Sequence, residues 1–122
     1  MLSGVCYSQN FNKVNTSILL HWNSTEWVEV VRKYPEDMYI ILNDKDIVIN
    51  NANESHYKII SSSPEKKTYS THTCYTWDCI DKKGISCKFI MKNFNDGTWL
   101  FCFLYDSYNQ MYEYIIEKDG DK

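Results

Sequence analysis

Hydrophobic and polar positions along this chain follow two different periods. The opening stretches "GVCYSQNF" and "SILLHW" alternate briefly and read as two short strands. Between residues 27 and 34 the apolar positions are Trp27, Val30, Val31 and Tyr34, spaced as one face of an α-helix. Asn23 or Ser24 stands at the N-cap, Glu26 and Glu29 occupy the first turns, and Arg32 and Lys33 lie near the end. Pro35 stops the run, because proline lacks the donor a helix needs. A single helix over residues 24–34 is predicted.

Beyond it the period becomes two. "MYIIL" and "IVIN" flank the polar turn "NDKD" and predict a hairpin, "HYKII" predicts a further short strand, and "SSSPEKK" reads as a loop. From Tyr69 onward "TYSTHTCYTWDCI", "ISCKFIMK", "TWLFCFLYD" and "MYEYIIEK" predict a four-strand meander. Turn chemistry sets its register. If Lys82, Lys83 and Gly84 form a type I turn closed by a left-handed glycine, Asp81 faces Ile85. Cys79 then faces Cys87, Asp78 faces Lys88 and Trp77 faces Phe89, which are pairs that a sheet rewards. The same turn at Asn95–Gly97 sets Phe89 against Phe103 and Met91 against Phe101. A two-residue turn at Tyr108 and Asn109 would put Tyr112 opposite Tyr105 and Tyr114 opposite Phe103.

This register collects Tyr75, Trp77, Phe89, Met91, Phe101, Phe103, Tyr105, Tyr112, Tyr114 and Ile116 on one face. The other face mixes Asp78, Lys88, Lys92, Glu113 and Glu117 with Ile90, Leu100, Cys102 and Leu104. The fold class expected is α+β: one helix packed on the aromatic face of a mostly antiparallel sheet, in a single domain spanning residues 1–122.

Composition narrows the classes of function. Aromatic residues make up 16% of the chain, with ten Tyr against four Gly and two Pro, which suits half-buried sheet faces and recognition surfaces alike. A formal charge of −3 and a single arginine argue against direct binding of a phosphate backbone. No apolar run approaches the length of a membrane span, and the first residues lack a secretory pattern. Five cysteines, an odd count, fit poorly with a closed disulfide frame, so a reducing cytoplasm is the expected setting.

The stretch "THTCYTWDCIDKKGISC" places His72, Cys74, Cys79 and Cys87 close together in sequence. On a strand His72 and Cys74 face one way and Cys79 the other, so the four do not converge as a zinc site requires. Structural thiols are expected there, with no metal and no cofactor. No phosphate-binding glycine loop, nucleophile elbow or calcium loop is present. Glu113 and Glu117 sit roughly 13 Å apart along a strand, too far to act as a close carboxylate pair.

Binding is therefore favoured over catalysis, in two versions. The first is a small cytoplasmic inhibitor, of the immunity-protein or viral-antagonist kind, that occludes a protein target. A nucleic-acid-handling target would suit its mild acidity. Asp78, Tyr108, Glu113 and Glu117 are the expected contact residues, placed on the less apolar face or at a hairpin tip. The second is a module that binds or sequesters a small, nucleotide-like ligand in an aromatic pocket. An open cavity with converging polar groups would favour the ligand. A filled core with exposed aromatics would favour the inhibitor.

Overall fold

A computed structural model describes residues 10–50, 55–61 and 63–117. Eleven strands follow one another: β1 (Asn10–Lys13), β2 (Thr16–Trp22), β3 (Trp27–Lys33), β4 (Tyr39–Leu42), β5 (Asp46–Asn50), β6 (Ser55–Ile59), β7 (Glu65–Thr68), β8 (His72–Asp81), β9 (Ser86–Phe94), β10 (Trp99–Tyr105) and β11 (Gln110–Ile116). All pairings are antiparallel, in the order β1-β4-β5-β6-β8-β9-β10-β11-β2-β3, with β7 on the free half of β8 beside β6.

The meander forms in the expected register through β10. Gly84 and Gly97 take the left-handed conformation, with φ of 82° and 94°, and each N–H closes its turn onto the carbonyl three residues back. Cys79 faces Cys87, Asp78 faces Lys88, Trp77 faces Phe89, and Phe89 faces Phe103. The last hairpin differs. Asp106–Tyr108 make a 3-10 turn ended by left-handed Asn109, so Tyr105 faces Gln110 and Phe103 faces Tyr112. This shift of two residues leaves every side chain on its expected face, because strand faces repeat every second residue.

The predicted helix does not exist, and the fold is not α+β. Residues 27–33 are β3, and the described chain is almost entirely antiparallel sheet, curled into a half-barrel. Asn23 does cap, but it caps a turn. Its Oδ1 accepts hydrogen bonds from the Thr25 and Glu26 N–H groups, and Asn23 N–H donates to the Glu26 carbonyl. The same side-chain chemistry serves a helix N-cap and an Asx turn. With Ser24 at a φ of 92°, the turn reverses the chain into a hairpin with β2. A bulge between Leu19 and Leu20 puts one extra residue in β3, so Val28 and Val31 both fall opposite inner-face residues of β2, His21 and Leu19. The stripe that suggests a helix is split, because Trp27 lies opposite Trp22 and Val31 opposite Leu19, on different faces of the sheet. "SSSPEKK" also differs from expectation, since Glu65–Thr68 form β7.

The aromatic face is covered by sheet rather than helix. The arm β1-β4-β5-β6 folds back over β9–β11, so Tyr57 of β6 stacks on Phe103 of β10 with ring centroids 4.1 Å apart. Ile40, Ile47 and Val14 join Phe89, Phe101 and Phe103 in the fully buried core. Each such aromatic side chain contributes about 2–3 kcal/mol of burial. Between β1 and β2 lie only Val14 and Asn15, whose N–H groups donate to the carbonyls of Met38 and Ile115 respectively, both at 2.8 Å. This short link ties β1, at one end of the curled sheet, to β2, the strand next to its other end. Among the described residues no helix is long and apolar enough to cross a membrane.

Candidate functional site

Strands run across the half-barrel so that one end of the inner face opens between the β8–β9 turn and the β10–β11 corner. Tyrosines cluster there for a topological reason. Tyr105 ends β10, Tyr112 and Tyr114 alternate along β11, Tyr57 comes from the covering arm, and Tyr108 stands on the 3-10 turn. They wall a cleft of about 490 Å³, with Asp81, Lys82, Lys83 and His56 also on its lining. Tyr108 lies parallel to Tyr105, with centroids 6.1 Å apart, and Tyr112 meets Tyr105 edge-on.

Asp81 organises the floor. Its Oδ1 accepts from the N–H groups of Lys83 and Ile85, and its Oδ2 accepts from the Tyr105 hydroxyl at 3.0 Å. Partial burial pushes its carboxyl up, but the hydrogen bonds from Ile85, Tyr105 and Lys83 outweigh that and hold it below its ordinary value. The single Tyr105 proton is committed to Asp81, and the Tyr57 hydroxyl and the Cys87 thiol lie close to that phenol. Burial and this neighbourhood push the Tyr57 hydroxyl up to about 12 and the Tyr105 hydroxyl well above its ordinary range. These phenols stay protonated at any physiological pH. They are donors and ring surfaces, not bases.

Of the residues expected to touch a partner, Tyr108 alone lines this cleft, and it is 51% exposed. Asp78 lies on the outer face in a 2.9 Å ion pair with Lys88, as the register implied. Glu113 is on the outer face too, but it is not a free surface charge. It is half-buried between Cys102 and Ile18, which are 2% and 4% exposed, and burial raises its carboxyl despite Lys92 and Arg32. Glu117 is exposed just past β11, and its N–H donates to Asn15 Oδ1 at 2.7 Å. Asp78, Glu113 and Glu117 are not on the lining of this cleft.

The cysteines sit where the register put them. Cys79 and Cys87 face each other and are buried, and desolvation pushes their thiols up to about 12 and about 11. His72 stacks against Tyr69 at 4.8 Å, on the face opposite Cys79. Among the described residues, no three His, Cys, Asp or Glu side chains gather as a metal site would require.

Sequence reasoning places Tyr105, Tyr112 and Tyr114 on one face but misses Tyr57 and Asp81 as their partners. Asp81 reads only as a turn residue, and its position ahead of Lys-Lys-Gly is the available signal. Nothing local shows that β6 crosses onto β10. In comparisons with known proteins, no family model, curated protein or solved structure matches the chain.

Proposed function

We propose that this protein binds a small ring-bearing ligand with an anionic group, nucleotide-like in its chemistry, in the tyrosine-walled cleft. The observation that carries this reading is an open cavity of about 490 Å³ with a pre-ordered polar floor. Its size falls in the range of small-molecule sites, which combine ring surfaces with a few fixed polar groups. Tyr108 and Tyr112 offer ring faces for stacking. Lys82 and Lys83, exposed in the β8–β9 turn, supply cations at the rim. Asp81 repels an anion, but its three hydrogen bonds disperse that charge. The ring is therefore seated toward Tyr105 and the anion toward the lysines.

Isothermal titration with adenosine 5′-monophosphate and with adenosine tests this. The monophosphate should bind saturably and more tightly than the nucleoside. Tyr108→Ala should weaken both, and Lys82→Glu with Lys83→Glu should weaken only the monophosphate. Absence of saturable heat with either probe, or binding indifferent to all three substitutions, rejects the site.

A second reading keeps the inhibitor of a protein target, nucleic-acid-handling or otherwise. Its particular support is the projecting corner where exposed Asp106 and Tyr108 stand together, an acidic residue beside an aromatic anchor. Native mass spectrometry of the protein isolated from its own host separates the two. A retained mass of a few hundred daltons supports the ligand, and a stoichiometric protein partner supports occlusion.

A further inference from the structure

Strand β3 ends the sheet. Among the described residues it pairs with β2 alone, so its other edge presents unpaired backbone donors and acceptors. The strand is seven residues long, and although it carries a bulge and the charges Glu29, Arg32 and Lys33, its apolar side chains stay open. Val28, Val30 and Val31 are 40%, 56% and 40% exposed, and Tyr34 just beyond is 70% exposed. Apolar β-branched residues on an open edge form a template for another strand.

The sequence of β3 says which strand fits. Pairing it antiparallel with a second copy, about a two-fold axis between Val30 and Val31, sets Val30 against Val31 of the other copy. Glu29 then faces Arg32, and the symmetry repeats that pair. Trp27 meets Tyr34. The faces agree as well as the residue types. Glu29 lies opposite Leu20 and Arg32 opposite Ile18, so both are on the outer face of the sheet. The bulge makes this agreement possible, because it lets residues three apart share a face. Glu29 and Arg32 already form a 2.7 Å ion pair within one chain, so the dimer would convert one pair into a ring of four alternating charges. We propose that β3 is a self-association edge, through which two copies join their sheets into one continuous antiparallel sheet.

Backbone hydrogen bonds supply the attraction, while the charge and aromatic pairs select the register. A single strand pair lies at the small end of specific interfaces, so the dimer should be concentration-dependent and micromolar or weaker.

Sedimentation equilibrium under reducing conditions, from low micromolar to roughly 1 mM, reads the association. The wild-type protein should shift from monomer to dimer across this range, and its β3 amide resonances should broaden in step. Glu29→Arg and Arg32→Glu each place like charges opposite one another in the symmetric pair. Each variant alone should stay monomeric, with an unchanged circular dichroism spectrum. Mixed in equal amounts, the two should form a heterodimer, because one strand then carries two cations, the other carries two anions, and both cross-strand pairs are attractive. A wild-type monomer at roughly 1 mM overturns the proposal. So does dimerisation that survives either single reversal, or a mixture of folded variants that fails to associate.

Discussion

Replacing Tyr105 by Phe removes one oxygen from a residue that is 6% exposed and otherwise leaves its ring packing in place. That oxygen donates to Asp81 Oδ2 at 3.0 Å. A neutral hydrogen bond is worth about 1 kcal/mol net, and one to a carboxylate somewhat more. Asp81 borders solvent, so its bond belongs at the low end, and Phe recovers some cost by not burying a hydroxyl. The expected loss at neutral pH is about 1–2 kcal/mol, from the Asp81 bond. At a urea slope of roughly 1.5 kcal/mol/M this lowers the unfolding midpoint by about 1 M. The pH dependence isolates the Asp81 part. Hydrogen bonding holds the folded carboxyl below its ordinary 3.8, so its stabilisation is present above that pH. It is lost as pH falls through the folded value. A double-mutant cycle of Tyr105→Phe and Asp81→Asn should therefore show coupling at neutral pH that fades in acid, as pH falls from 3.8 through the lowered folded value. Coupling indistinguishable from zero at neutral pH, or undiminished in acid, would refute the Tyr105–Asp81 hydrogen bond.

Two further outcomes follow from burial. Cys79, Cys87 and Cys102 are buried with thiols pushed up to about 12, 11 and 12, while Cys74 is only partly buried. In a Cys6→Ser background, native alkylation monitored by mass should label Cys74 quickly and the other three only after denaturation. Fast labelling of Cys79 or Cys87 would contradict the buried pair. Glu113 has a folded carboxyl raised by burial, so its neutral form suits the fold and stability falls as pH climbs from its ordinary 4.5 through the raised value. Glu113→Gln should raise the melting temperature at neutral pH and lose that advantage in acid. An equal effect at both pH values would remove the burial argument.

Much of this architecture is legible where local chemistry is decisive. Gly84 and Gly97 mark turns that only certain registers satisfy, and five cross-strand pairs of the meander follow from counting back from them. The last hairpin departs from expectation by two residues, because a 3-10 turn at Asp106–Tyr108 has no glycine to announce it. Residues 27–33 mislead more seriously. Their helical spacing is real, but Trp, Val and Val favour strands, and in β3 Trp27 and Val31 fall on opposite faces. A helix also needs an apolar face to lie on, and that face is occupied by the β4–β6 arm. The cleft is only half legible for the same reason. Tyr105, Tyr112 and Tyr114 follow from alternation along neighbouring strands. Tyr57 reaches them through the curl of the whole sheet, which no local pattern encodes.

The corner at Val14 and Asn15 also sets an order of events during synthesis. Asn15 takes the Glu117 N–H from 102 positions away, and β2 has β11 as its inner neighbour. As the chain leaves the ribosome, β2 and β3 emerge early and find only each other. Their hairpin must wait for β11 before it gains a third strand. Two-stranded hairpins are barely stable alone, and contacts so distant in sequence form slowly. The nascent protein therefore passes through a long interval with the β2–β3 apolar residues uncovered. Closure comes in one late step, when β11 slots between β10 and β2. Any cellular factor that guards this chain against aggregation would act during that interval, and on that hairpin.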